Sequence, residues 1–478
     1  MVTPSCDSAH WEGTVAPPPE LRREIGRGSA RWRALLCALF ALVPAGCAGA
    51  GALGGGGDGV KTVTVAIVSN PQMEDAISLV PEFEKAHPNI RPKFVSLSEN
   101  EARAKITASV ATGGGEFDVV MISNYETPQW ARNGWLTDLQ PLADATPGYD
   151  PNDFLPTVRD ALSYDGHLYS VPFYGESSFL MYRKDLFEQA GLTMPAKPTW
   201  QQVRDFAARL HDPEQGRSGI CLRGKPGWGE VLAPLDTVIN TFGGSWYDKD
   251  WQAKLGSPES VEAVKFYVDL LREYGQPGGA ISGFSECATQ FGQGNAAMWY
   301  DATSAVGVLE DPKESKVAGK VGYVPAPVVK TPQSGWLYSW SLAIPKTSEN
   351  TQEAWQFMAW MTSKQYMRLV GEKYGWSRVP PGSRASTYQI PEYRQAAAAF
   401  LQPTLDAMNA ADQRKPTVNP VPYIGLQFVG IPEFQDLGTR VSQQISAAIA
   451  GQQSVDEAMR QSQEYAQTVG DTYREGSR

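Results

Sequence analysis

From residue 61 onward the sequence alternates short apolar runs with longer amphipathic ones, and this alternation constrains the fold more than any other feature. Residues 63–68 (VTVAIV) form a brief run rich in β-branched side chains. Residues 73–85 place Met73, Ile77, Val80 and Phe83 at helical spacing. Strands are read over 91–97 and 117–122, with a helix over 101–112 between them. Strands separated by helices imply a mainly parallel α/β sheet covered on both faces. Ligands of such sheets sit beyond the carboxyl ends of the strands. Three of those ends carry polar groups: Asn70 and Gln72, Glu99 and Asn100, Tyr125 and Glu126. At 478 residues the chain is too long for one ordinary core, so two or more lobes are expected.

A second signal is the pairing of aromatics with carboxylates. Residues 335–345 (GWLYSWSLAIP) read as a strand whose one face carries Trp336, Tyr338 and Trp340 and then Leu342 and Ile344, a ring-lined start running into a core-like end. The same pairing recurs in Met298-Trp299-Tyr300-Asp301, Trp228-Gly229-Glu230 and Tyr174-Gly175-Glu176. Asp165-Gly166, set between runs of strand character, is a hairpin turn. The 14 Trp and 19 Tyr suit a polar, ring-lined ligand site, and the net charge of −10 comes without a basic stripe, which argues against a nucleic-acid partner.

The N-terminal region speaks of export. Arg22, Arg23, Arg27, Arg31 and Arg33 precede an apolar run over 34–43 and then Pro44-Ala45-Gly46-Cys47, so residues 1–46 read as a signal peptide. The tetrad resembles a bacterial lipobox, with Pro44 where Leu is usual, which implies that Cys47 carries lipid. Residues 47–60, rich in glycine, are a tether to that anchor. The literal GxGxxG inside it follows no strand and opens no helix, so it is no nucleotide motif. Cys221 and Cys287 in the body are either a disulfide of an exported protein or two buried thiols. No CxxC, Cys/His cluster, GxSxG, HExxH or P-loop occurs, and no metal, cofactor or catalytic residue is expected.

In order, EFEKAHPNI, ATGGGEFDVV, VPFYGESSFLMYRKDLF, TFGG, MWYDAT and WSLAIP resemble the extracellular solute-binding proteins that feed carbohydrate ABC importers. GICLRGKPGWGE, SGWLYSWSLAIP and VPYIGLQFVGIPEFQ are similar to the polyol branch, receptors for sorbitol, mannitol and related alditols. The resemblance implies a two-lobed periplasmic-binding-protein fold (type II) with three hinge crossings. It divides the chain into lobe one (61–172 and 344–416) and lobe two (173–343 and 417–478). It also implies a monomer that hands solute to a permease driven by an ATPase subunit.

An alditol offers many hydroxyls on a thin carbon chain, so its site needs carboxylates and amides, returning donors, and flat rings against C–H. The candidates are Asn70, Gln72, Asn100, Arg103, Tyr125, Glu126 and Arg378 from lobe one. From lobe two they are Tyr174, Glu176, Trp228, Glu230, Trp299, Asp301, Tyr338, Trp340 and Gln427. Arg103 reads equally well as a solvent-facing helix residue, and Glu230 and Gln72 as helix-start acceptors. Three rival functions stand beside this one: a disaccharide or glycerol-phosphate receptor of the same fold, a phosphate or iron receptor, and a glycoside hydrolase using Glu126, Glu176 and Asp301. A glycosidase needs two carboxylates at a set separation.

Overall fold

The protein is described here by a computed structural model covering residues 59–476, so the expected signal peptide and Cys47 lie outside the described residues. The first half of the alternation folds as read. Strands β1 (Lys61–Val68), β2 (Ile90–Leu97) and β3 (Val119–Ser123) pair in parallel, β2 and β3 flanking β1. Helices α1 (Pro71–Ala86) and α2 (Glu99–Ala111) make the crossovers, and α3 (Glu126–Arg132) follows β3. Asn70 starts α1 as an N-cap: its Oδ1 accepts from the Met73 amide at 3.0 Å, and Pro71 holds the first helical position, where its missing N–H costs nothing. Val63, Val65 and Ile67 are buried on one face of β1, and Phe83 packs from α1 against Phe357 of the helix Thr351–Met361.

The hairpin forms as the Asp-Gly pair requires, with β4 (Ser163–Tyr164) and β5 (His167–Leu168) joined through Asp165 and Gly166, at φ 50° and 81°. The chain then enters β6 (Val171–Glu176), passes Ser177, and becomes β7 (Ser178–Arg183). β7 is the centre of a second, three-stranded sheet, paired antiparallel to β8 (Met298–Ala302) and β9 (Val321–Pro325). β10 (Tyr338–Ala343) returns to the first sheet, completing the order β2-β1-β3-β10-β6. It is antiparallel to both its neighbours. The reason is topological: β6 carries the chain out of the large sheet toward the small one, and β10 brings it back in the opposite sense.

Strand pairing departs from the sequence-based division at two points. That division cut after Pro172 and at Ala343, whereas β6 and β10 both belong in full to the five-stranded sheet. The chain therefore passes between sheets at Ser177 and again in the stretch 326–337. The prolines suggested the wrong ends of these strands, because the strand before Ser177 tolerates Pro172 within it. Late in the stretch 344–416, the helix Leu401–Ala410 packs against β7 and β9 of the small sheet. The buried helix Leu232–Phe242 meets the smaller sheet where Thr237 bonds the Tyr300 hydroxyl, Pro258–Tyr274 packs on that helix, and the C-terminal helices Phe434–Ile449 and Val455–Gly476 pack on Pro258–Tyr274.

Candidate functional site

A cavity of about 480 Å³ opens where the ends of β1, β2, β6 and β10 face the small-sheet side of the molecule. Its large-sheet wall holds Ser69, Asn70, Ser98, Glu99, Glu101, Tyr174, Glu176 and Trp340; its other wall holds Arg223, Lys225, Glu230, Phe284, Ser285, Glu286 and Ser304. These residues come together because parallel strands end at the same edge of their sheet and helix starts follow at once.

Five of the candidates line this cavity: Asn70, Tyr174, Glu176, Glu230 and Trp340. Asn70 donates from Nδ2 to the Tyr174 hydroxyl at 3.3 Å, so its cap and its wall position are held together. Glu176, the last residue of β6, accepts from the Ser304 hydroxyl at 2.5 Å. Burial pushes its carboxyl up to about 8, well above the usual range, although the Ser304 bond and Arg223 pull the other way. Glu230 is also held above the usual carboxylate range, by burial and by the nearby Glu99, against the pull of Arg223 and Lys225. Lys225 Nζ stands 3.2 Å from it.

Arg103 is not on a solvent face but is buried, and it organises the boundary to a neighbouring cavity of about 520 Å³, which Asn100 and Trp228 also line. Its guanidinium donates to Glu99 at 2.9 Å, to Glu126 at 3.1 Å and to the Tyr338 hydroxyl at 2.6 Å, and stacks 4.0 Å from the Trp228 ring centre and 4.6 Å from that of Trp340. Removing one partner of such a buried charge set costs about 3–5 kcal/mol, so Arg103 pins the structure rather than offering free donors. Asn100 donates across to the Pro226 carbonyl at 2.9 Å. Glycines allow this approach: a Cβ at Gly229 would lie 2.2 Å from Glu99 Oε1, and one at Gly227, whose φ is +146°, would lie 2.4 Å from Asn100 Oδ1.

The remaining candidates stand behind the wall or away from it. Tyr125 donates to the Ile431 carbonyl at 2.6 Å, and Glu126 accepts from the Ser123 amide at 2.9 Å while facing Arg103. Asp301 is fully buried and takes both Arg223 Nε and Nη2, at 2.8 and 2.6 Å; Trp299, also fully buried, donates its indole N–H to the same carboxylate. Gln72 donates to the Ser304 carbonyl at 3.1 Å. Arg378 is engaged by Asp75 and Asp311, and Gln427 is buried with its carbonyl oxygen unpaired. Of the three carboxylates a glycosidase would use, only Glu176 reaches the cavity.

Sequence reasoning missed Arg223, Lys225, Ser304, Phe284, Glu101 and Glu286 on the wall. Arg223 and Lys225 were within reach, since both lie in the GICLRGKPGWGE segment, but a bare charge in a loop gives no sign of which way it points. Cys221 and Cys287 form a disulfide, with Cα atoms 5.7 Å apart, which resolves the alternative left open by the sequence. It ties the segment that leads to Arg223 to the helix Phe284–Gly292.

Two sheets in two lobes around a polar, partly ring-lined cavity are the architecture of a solute receptor of the periplasmic-binding-protein type. Residues 69–368 match the model of the bacterial extracellular solute-binding protein family, and the chain belongs to that family. It is 46% identical over 407 residues to the mannitol-binding protein of Pseudomonas aeruginosa, covering 85% of this chain and 92% of that protein. Its fold is similar to that of an ABC transporter solute-binding protein from Agrobacterium vitis S4 solved with bound D-mannitol (TM-score 0.84, 47% identity, 86% of this chain and 99% of that one). It is also similar to one from Agrobacterium radiobacter K84 in complex with ribitol (TM-score 0.75, 26% identity, 86% and 99% covered).

Proposed function

We propose that the protein captures an alditol, a linear sugar alcohol such as mannitol, sorbitol or arabitol, and delivers it unaltered to an ABC permease. The observation that carries this reading is the composition of the cavity between the two sheets: Asn70, Glu99, Glu176 and Ser304 present hydroxyl-binding oxygens and an amide, beside the rings of Tyr174 and Trp340. The relatives solved with or named for mannitol and ribitol support it. Glu176 and Glu230 accept hydroxyl donors or, when protonated, donate to them. Trp228, Tyr338, Trp299 and Asp301 act by positioning Arg103 and Arg223. Lobe one spans 61–176 with a return at 338; the hinge lies at Ser177, in 326–337, and near 417–422. Cys47 anchors the monomer by lipid at the outer face of the membrane. Among the described residues no helix is long and apolar enough to cross a membrane.

Closure follows from differential affinity, since a solute touching both walls favours the closed form. Micromolar capture corresponds to about −8 kcal/mol, within reach of several charge-assisted hydrogen bonds and ring contacts. Calorimetric titration with alditols, hexoses and disaccharides tests the reading. Binding of an alditol is expected, and Trp340→Ala and Glu176→Ala are each expected to lower affinity at least about a hundredfold while the thermal transition remains cooperative. Unchanged affinity in both variants would refute the site.

A further inference from the structure

We propose that the cavity selects its solute by charge, taking neutral polyols and their amino-substituted forms and refusing sugar acids and polyol phosphates of the same length. This rests on the polyol reading above and adds to it a rule for which polyols pass. The argument is an inventory of the wall. Glu99, Glu101, Glu230 and Glu286 bring acidic groups to the cavity, and the cations lining it are Arg223 and Lys225.

Each cation is already ion-paired with a carboxylate. Every guanidinium nitrogen of Arg223 already donates: Nε and Nη2 to Asp301, and Nη1 to the Gly229 carbonyl at 3.0 Å. Lys225 stands against Glu230. Arg103, next to the wall, is likewise divided between Glu99, Glu126 and Tyr338. Glu101 is differently placed, exposed at the start of α2, where it accepts from the Ser98 hydroxyl. Glu176, largely neutral at neutral pH, supplies a hydroxyl donor or acceptor without adding charge.

A carboxylate or phosphate entering here meets more carboxylates than cations, and the cations are already ion-paired. Repulsion at roughly 6 Å in an effective dielectric of about 20 amounts to about a hundredfold in affinity. Specificity of this kind is built by placing a repulsive group against the wrong ligand. An ammonium meets the opposite field, and Glu99 and Glu101 offer it acceptors.

Calorimetric titrations of the full chain at neutral pH and low salt would compare mannitol, ribitol, 1-amino-1-deoxymannitol, mannonate and mannitol 1-phosphate. The expected result is that the amine binds within about tenfold of mannitol or tighter, and that both anions bind more than about tenfold weaker. Either anion binding within tenfold of mannitol, or the amine falling outside it, overturns the inference. Glu99→Gln should narrow the gap between mannonate and mannitol at least about threefold. Glu101→Gln, at an exposed position, gives the same readout if the first variant does not fold. An unchanged gap in a folded variant also overturns the inference. If neither mannitol nor ribitol binds, it is the polyol reading that fails, whereas anions binding beside mannitol defeat charge selection alone.

Discussion

Glu176 shows how burial and function meet in one side chain. Its carboxyl lies at about 8 in the folded protein against an ordinary 4.5, chiefly through burial, so the folded state holds the proton more tightly than the unfolded chain. The stabilisation from this group is therefore fully present below 4.5 and lost as pH rises through 8. Thermal unfolding is expected to show stability falling between these limits, and Glu176→Gln, neutral at every pH, should reduce the slope. Glu230 and Asp236, both raised by burial, act in the same direction, so the slope is reduced rather than abolished. A slope identical in variant and wild type would show that Glu176 ionises normally. The sequence marked Glu176 through its neighbour Tyr174, but its bond to Ser304, 128 positions away, was beyond any local pattern.

At the scale of elements, the segment from Cys221 to Glu230 does the most to build the site. It brings Arg223 and Lys225 to the wall, presents Trp228 to Arg103, and is fastened by the disulfide to the helix that carries Phe284 and Glu286. The disulfide closes a loop of 66 residues. Chain-entropy reasoning assigns such a closure about 4 kcal/mol. Cys221→Ser/Cys287→Ser is expected to lower the thermal midpoint by several degrees and weaken solute binding; a midpoint within about a degree of wild type would show the tie to be dispensable. β10 teaches a different lesson. Its aromatic alternation was readable, yet its two faces are equally buried and its register with β6 shifts between Trp340 and Ser341. Both faces of β10 are covered by packed structure, and Tyr338 and Trp340 differ in role although both stand on the face read from the sequence.

At the scale of the molecule, contacts away from the cavity join the two sides. Arg378 is one: its guanidinium spans Asp75 on α1, at 2.8 and 2.9 Å, and Asp311 beyond β8, at 3.1 Å. Arg378→Ala should widen the molecule in small-angle scattering and weaken solute binding about tenfold, since the proposed closed form loses a partly buried ion triad. Identical scattering and affinity would assign the triad to local structure only. What the sequence by itself determined was the parallel strand-helix start, the hairpin and the family, because these depend on neighbours a few residues apart and on motifs held within single segments. Only the tertiary structure decided that Arg103 is interior, that Trp299 and Asp301 sit behind Arg223 rather than against the cavity, and that β6 and β10 lie side by side in one sheet. Those outcomes depend on buried groups meeting across chain separations that no local pattern spans, 78 residues from Arg223 to Asp301 and 235 from Arg103 to Tyr338, and a buried charge left without its partner is costly.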